Sequence, residues 1–221
     1  MSQRWSLPAI AAGCCLFAGI SSADSFSYNG IFTSDDQQQQ FLFTLGGAAA
    51  VTTVTFGYAG GTNQAGMVIS DGGFDPWLAI FDSTGNLLAS VDNGSCGQVE
   101  TDPSTAACLD SFISISLPAG TYTLVLSESD NQPALTTLAD GYTRTGQGDF
   151  TGSAFGCSNG VFCDVTGASR TGNWAVDIDD VDSASQVGGV TGVPEPGSML
   201  LCATSLAGII GLRRRRQQTL K

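Results

Sequence analysis

The chain contains no histidine among its 221 residues, and that absence removes several chemistries at once. A Ser-His-Asp triad, a Cys-His pair and every histidine-liganded metal centre are unavailable. Positive charge is almost as scarce. Of eight basic residues, Arg4, Arg213, Arg214, Arg215, Arg216 and Lys221 lie near the two ends, leaving only Arg144 and Arg170 between them. Nineteen of the twenty carboxylates fall between Asp24 and Asp182, so two arginines face nineteen acids and the middle carries a net charge of −17. Such a surface repels phosphate backbones and offers no basic stripe, which excludes nucleic acid as a partner. Divalent cations and neutral glycans remain suitable partners.

The longest uncharged apolar runs lie at the ends. Met1–Ala23 has Arg4, an apolar stretch from Leu7 to Ile20 and a Ser21-Ser22-Ala23 exit. A positive start, a short apolar centre and a small-residue exit predict a secretory signal peptide cut after Ala23. The competing reading is a buried N-terminal helix, which Gly13, Gly19 and the Ser-Ser-Ala exit suit poorly. Cys14, Cys15 and Cys202 sit in the end segments, leaving Cys96, Cys108, Cys157 and Cys163, which allow three pairings. Proximity favours Cys96–Cys108 and Cys157–Cys163, each closing a small loop with roughly 2–3 kcal/mol of stabilisation if unstrained. A zinc site is the rival, but the spacings are not paired C-x-x-C, and disulfides suit an oxidising compartment.

What fills the middle has a period of two. In AVTTVTFGY, Thr52, Val54, Phe56 and Tyr58 share one face and Val51, Thr53, Thr55 and Gly57 the other. Ile113, Ile115 and Leu117 alternate with serines, and Tyr122, Leu124 and Leu126 alternate with Thr121, Thr123 and Val125. Alternation sets one side of each strand on a core. Leu117-Pro118-Ala119-Gly120 breaks between two strands, and Ser83-Thr84-Gly85-Asn86 predicts a hairpin turn. Strands are expected near 26–32, 40–45, 50–58, 76–81, 86–91, 111–117, 121–128, 148–155 and 173–178, with long loops at 59–74, 92–110 and 129–147. The expected fold is all-β, an antiparallel β-sandwich or jelly roll of eight to nine strands over residues 24–182. A Gly/Ser-rich linker is expected at 183–192, and a C-terminal sorting segment with a hydrophobic helix at 193–221.

That last segment, from Val193-Pro194-Glu195-Pro196-Gly197-Ser198 through an uncharged run to Arg213–Arg216, resembles the PEP-CTERM sorting signal of Gram-negative bacteria. The resemblance implies transient recognition by a membrane-embedded exosortase and cleavage near Pro194-Glu195-Pro196. It implies contact with the inner membrane before processing, and delivery to the cell surface or extracellular matrix. The chemistry agrees. Two prolines keep the segment extended, as a protease substrate requires. Ser198–Leu212 is fifteen uncharged residues, about 22 Å as a helix against a hydrocarbon core of about 30 Å. The four arginines hold the C-terminus on the cytoplasmic side. An ordinary tail anchor behind a Pro-rich linker is the other reading.

Asp75-Pro76-Trp77-Leu78, Gly85, Asp92, Asp110-Ser111 and Leu117-Pro118-Ala119-Gly120-Thr121-Tyr122 resemble the β-sandwich domains related to bacterial pre-peptidase C-terminal domains. The likeness covers roughly Phe26–Glu128 and brings no peptidase with it. Asp71, Asp75, Asp82, Asp92 and Asp110 flank two strands and their loops, so they are the candidate calcium ligands. The competing reading is that they solubilise loops and cap turns. Asp177, Asp179, Asp180 and Asp182 read as a solvated edge that discourages sheet-to-sheet association, with cation binding as the alternative. Trp77 reads as core, whereas Tyr142, in a long loop, is the candidate for contact with exopolysaccharide or a cell-surface glycan. The sequence therefore predicts an exported, non-enzymatic structural, adhesive or glycan-contacting β-sandwich. The alternatives are a carboxylate-dependent glycan hydrolase and a calcium-dependent binding module.

Overall fold

Hydrophobic alternation and hydroxyl-rich opposite faces become two stacked antiparallel sheets. The computed structural model describes residues 24–157 and 162–188. The expected signal peptide with Ala23, and the sorting segment with Pro194, Glu195, Pro196 and Arg213–Arg216, lie outside the described residues. In chain order the strands are β1 (Asp24–Ile31), β2 (Gln39–Leu45), β3 (Ala49–Thr55), β4 (Gly61–Thr62), β5 (Val68–Ile69), β6 (Pro76–Phe81) and β7 (Leu87–Val91). They continue with β8 (Phe112–Leu117), β9 (Gly120–Glu128), β10 (Phe162–Cys163), β11 (Ser169–Arg170), β12 (Asn173–Val181) and β13 (Ser183–Gln186). One sheet has the order β1-β12-β3-β8 and the other β13-β2-β9-β6-β7; β4–β5 and β10–β11 are short separate ribbons.

The core lies between the two large sheets. Phe41, Phe43, Leu78, Ile80, Leu124 and Leu126 come from the five-stranded sheet and Val51, Val176 and Ile178 from the four-stranded one, all fully buried. Each such side chain contributes about 1.5–3 kcal/mol by leaving water. A second, smaller cluster sits on the outer face of the five-stranded sheet. There Ala79, Phe81, Val125 and Tyr142 pack with Trp77, Leu87 and Leu138, because the segment after β9 folds back over the sheet. Double-sided burial explains why β6 reads as an unbroken apolar run, PWLAIF, rather than alternating.

Eight of the nine expected strands form. The ninth, 148–155, is instead a short six-residue α-helix, α1 (Phe150–Phe155), entered through Asp149 in the left-handed region and left through Gly156 in the same region. Asp35 fixes this turn by accepting the Thr151 N–H and hydroxyl at 2.8 Å each, a contact between residues too far apart in sequence for periodicity to register. Part of the expected linker is also structured. Ser183–Gln186 is strand β13, paired with Thr44–Phe41 of β2, and Val187 N–H continues the ladder to the Gln40 carbonyl.

The acidic run is solvated only in part: Asp180 is exposed and Asp182 half-buried, but the run does not lie on a sheet edge. Its strand, β12, lies between β1 and β3, and Asp177 and Asp179 are buried. The β4–β5 ribbon covers them, with the Gln64 N–H donating to Asp177 at 2.8 Å. Burial, with Asp177 alongside, pushes the Asp179 carboxyl up to about 6. Tyr142 is likewise buried rather than wet, because its ring belongs to the outer-face cluster.

Both expected disulfides are present. Cys96–Cys108 has a Cα–Cα distance of 5.4 Å, and Cys157–Cys163 one of 5.8 Å.

Candidate functional site

Strand order gathers part of the acidic set at one end of the sandwich. Asp75 enters β6, Asp92 leaves β7 and Glu128 ends β9, three neighbouring strands of one sheet. Pro76 pairs with Glu128, and Leu78 with Val91. The chain reaches Asp75 through Gly73, where a Cβ would run into the Asn173 and Gly57 carbonyl oxygens. Asp75 is 4% exposed, and its buried Oδ1 has no hydrogen-bond partner. Burial first, then the charges of Asp92 and Glu128, raise its carboxyl to about 9. Burial likewise lifts Glu128 to about 8 and pushes Asp92 up.

Asp110 lies at the same end but is already engaged. It accepts the Thr55 hydroxyl at 2.8 Å, the Tyr58 N–H at 3.2 Å and the Ala59 N–H at 2.8 Å. Its neighbour Ser111 points its hydroxyl at the carbonyls of Pro76 (2.6 Å), Val91 (3.3 Å) and Asp92, drawing the start of β6 and the end of β7 together.

The other expected calcium ligands lie elsewhere. Asp71 is exposed. Asp82 sits at the opposite end of β6, in the 82–86 hairpin turn. There it accepts from Thr84 N–H and hydroxyl and from Asn86 N–H and side-chain amide at 2.7–3.0 Å. Those bonds, led by the Thr84 hydroxyl, hold it near 2, and Gly85 supplies the positive φ of 86° that the turn requires. The five aspartates therefore do not converge. Among the described residues, no three Asp, Glu or Cys side chains are gathered so as to hold a metal ion.

A second polar centre escaped the sequence reading altogether. Arg170, 3% exposed at its side chain, donates from Nε to Asp164 and from a terminal nitrogen to Asp102, both at 2.7 Å. Its guanidinium stacks 3.8 Å from the centre of the Tyr58 ring, whose hydroxyl donates to Asp164 at 2.8 Å. Burial raises Asp102, but the Arg170, Thr105 and Ser104 hydrogen bonds outweigh it and hold the carboxyl below its usual range. This fully enclosed network clamps the disulfide-closed 92–110 loop onto β11 and the end of β3. The available signal was Arg170 itself, one of two cations in a domain of nineteen acids.

The open concavity is on the outer face of the five-stranded sheet, a trough of about 570 Å³. Leu42, Thr121 and Thr123 form its floor; the Asp82–Gly85 turn and Thr137–Ala139 form its walls. Thr137, Leu138 and Asp140 are held in place by a capping box in which Asp140 accepts the Thr137 N–H and hydroxyl. Ser83, Thr84, Thr121, Thr123 and Thr137 line the trough together with the apolar Leu42, Leu138 and Ala139, and most of its surface is apolar. No cation lines it, which disfavours anions. Its single carboxylate, Asp82, has its oxygens committed to the turn, so the trough lacks the pair of free carboxylates that glycoside hydrolysis requires.

Residues 192–216 match the family described as the PEP-CTERM protein-sorting motif, which overlaps most of the 193–221 segment singled out in the sequence. No curated protein matches the chain. The motif implies an exported protein that meets an exosortase transiently, is processed by it and is secreted to the cell surface in a Gram-negative bacterium.

Proposed function

We propose that the chain is a non-enzymatic display protein of the cell surface or extracellular matrix, whose β-sandwich holds neutral glycan in the outer-face trough. The observation carrying this reading is the trough's lining: hydroxyl-bearing residues beside a larger apolar surface, no cation, and one carboxylate already engaged in its own turn. Neutral polyols offer the matching mixture of hydroxyls and C–H faces, whereas anionic polymers would meet a −17 domain with nothing to offset it. The strand-and-turn pattern around Asp75–Leu78 and Leu117–Tyr122, similar to pre-peptidase C-terminal domains, fits a module used for attachment rather than turnover.

Retention of the purified protein on neutral and on uronate-rich polysaccharide tests the reading, with release of reducing ends followed in parallel. Wild type is expected to be retained by at least one neutral polymer without releasing reducing ends. The Thr121→Val, Thr123→Val double variant, which keeps strand propensity and volume, should bind at least about fivefold more weakly, the worth of one or two hydrogen bonds. Absence of retention on every neutral polymer refutes glycan contact; turnover by wild type refutes the non-enzymatic reading.

A further inference from the structure

At the end of the sandwich remote from the 82–86 turn, the main-chain carbonyls of β6 and β7 meet beside buried acidic and amide side chains. Ser111 is fully buried, and its hydroxyl carries one proton, yet the carbonyls of Pro76, Val91 and Asp92 all lie within 3.3 Å of its oxygen. One proton cannot serve all three, although Val91 is also paired with Leu78 in the β6–β7 ladder. Around them stand three further buried side-chain oxygens with no hydrogen-bond partner: Asp75 Oδ1, Asp92 Oδ1 and Asn93 Oδ1. Asp75 is the decisive one, since its residue is only 4% exposed and an unpaired buried carboxylate is too costly to stand alone. Among the described residues, the buried cation Arg170 is engaged with Asp102 and Asp164.

We propose that this end of the domain binds one hard, oxygen-seeking divalent cation of the calcium class. Asp75, Asp92 and Asn93 supply side-chain oxygens, and the main-chain carbonyls drawn together by Ser111 supply the rest. The donor set fixes the class. Two carboxylates, an amide and carbonyls suit a large ion that takes six to eight oxygens in irregular geometry, whereas magnesium demands a near-ideal octahedron and zinc prefers nitrogen and sulfur. Asp92 and Asn93 are half-buried, so the ion enters from their side while Asp75 closes the back. The functional gain is mechanical: an ion here ties the start of β6 to the end of β7 and stiffens the 92–110 loop. A proton on Asp75 is the competing occupant, favoured by the burial that raises its carboxyl. The site is separate from the trough, so it stands or falls independently of glycan contact.

The test is terbium luminescence sensitised by neighbouring Trp77, with calcium displacement and thermal unfolding in calcium or chelator, on the purified protein. Wild type should give terbium emission that calcium displaces and an equal concentration of magnesium does not. Calcium at about a hundredfold excess over its Kd should raise the unfolding temperature by roughly 5–10 °C. Asp75→Asn and Asp92→Asn should lose both responses, while Asp71→Asn and Asp82→Asn keep them. Asp92→Asn, being half-exposed, is the informative variant where Asp75→Asn fails to fold. Wild type that shows neither emission nor a calcium-dependent shift overturns the proposal in favour of the proton. A calcium shift that persists undiminished in Asp92→Asn overturns the assigned ligands.

Discussion

Replacing Arg170 by Met tests whether a single buried cation locks the loop end of this sandwich. Methionine keeps a long apolar stem against the Tyr58 ring, so the change isolates the guanidinium. It leaves Asp102 and Asp164, both 0% exposed, without their 2.7 Å cationic partner. Removing one partner of a buried ion pair costs about 3–5 kcal/mol. Two carboxylates are orphaned here, yet Asp102 keeps the Thr105 and Ser104 hydroxyls and Asp164 keeps Tyr58 and Thr166, so the same range applies to the whole network. For a domain of this size it corresponds to a fall of roughly 6–20 °C in Tm.

The pH dependence is diagnostic. In the wild type, both carboxyls are held below their usual range, so their stabilisation is present above the unfolded carboxylate pKa and is lost as pH falls through the lowered native values. In the variant, burial acts unopposed by Arg170, and stability declines as pH rises through the carboxylate range. The gap between the two proteins should be largest near neutrality and narrow toward pH 3, read by circular dichroism melts across that range. A fall below about 3 °C at pH 7, or a gap that does not narrow in acid, refutes the reasoning.

Two further outcomes are expected. The Asp179 carboxyl, raised to about 6 by burial, favours the native state while protonated and opposes it once pH passes that value. Asp179→Asn should therefore melt higher than wild type at pH 7.5 and alike at pH 4, as scanning calorimetry would show, and a lower melting point at pH 7.5 would contradict the assignment. A chain ending at Asp182 should be less stable toward urea than one ending at Gly188. The loss should be on the order of 2 kcal/mol, because β2 gives up its β13 ladder and the Val187–Gln40 hydrogen bond; equal midpoints would return 183–188 to the status of a linker.

Much of the framework was readable because its causes are local. Ile113, Ile115 and Leu117 alternate with polar neighbours whatever the rest of the chain does, and Ser83-Thr84-Gly85-Asn86 carries its own turn chemistry. The two disulfides close loops short enough for proximity to pick the pairing. Misreadings occurred where distant residues decide. Asp35 captures Thr151 and turns an expected strand into α1. The β4–β5 ribbon buries Asp177 and Asp179, and the outer-face cluster of Ala79, Phe81 and Val125 recruits Tyr142. Ser183-Ala184-Ser185-Gln186 has linker composition, yet the open edge of β2 makes it a strand.

By itself, the sequence determined the acidic, histidine-free chemistry, the two-sheet character and the sorting segment, since each follows from composition or from patterns spanning a few residues. Only the tertiary structure decided which acids are neighbours. Asp75 and Asp82 flank the same six-residue strand and so stand at opposite ends of it. Asp75 and Asp92 are separated in sequence but adjacent in space, because β6 and β7 are antiparallel neighbours that begin and end at the same edge. Convergence of charge depends on strand order and register, and those are settled by the packing of the whole core rather than by any stretch of the chain.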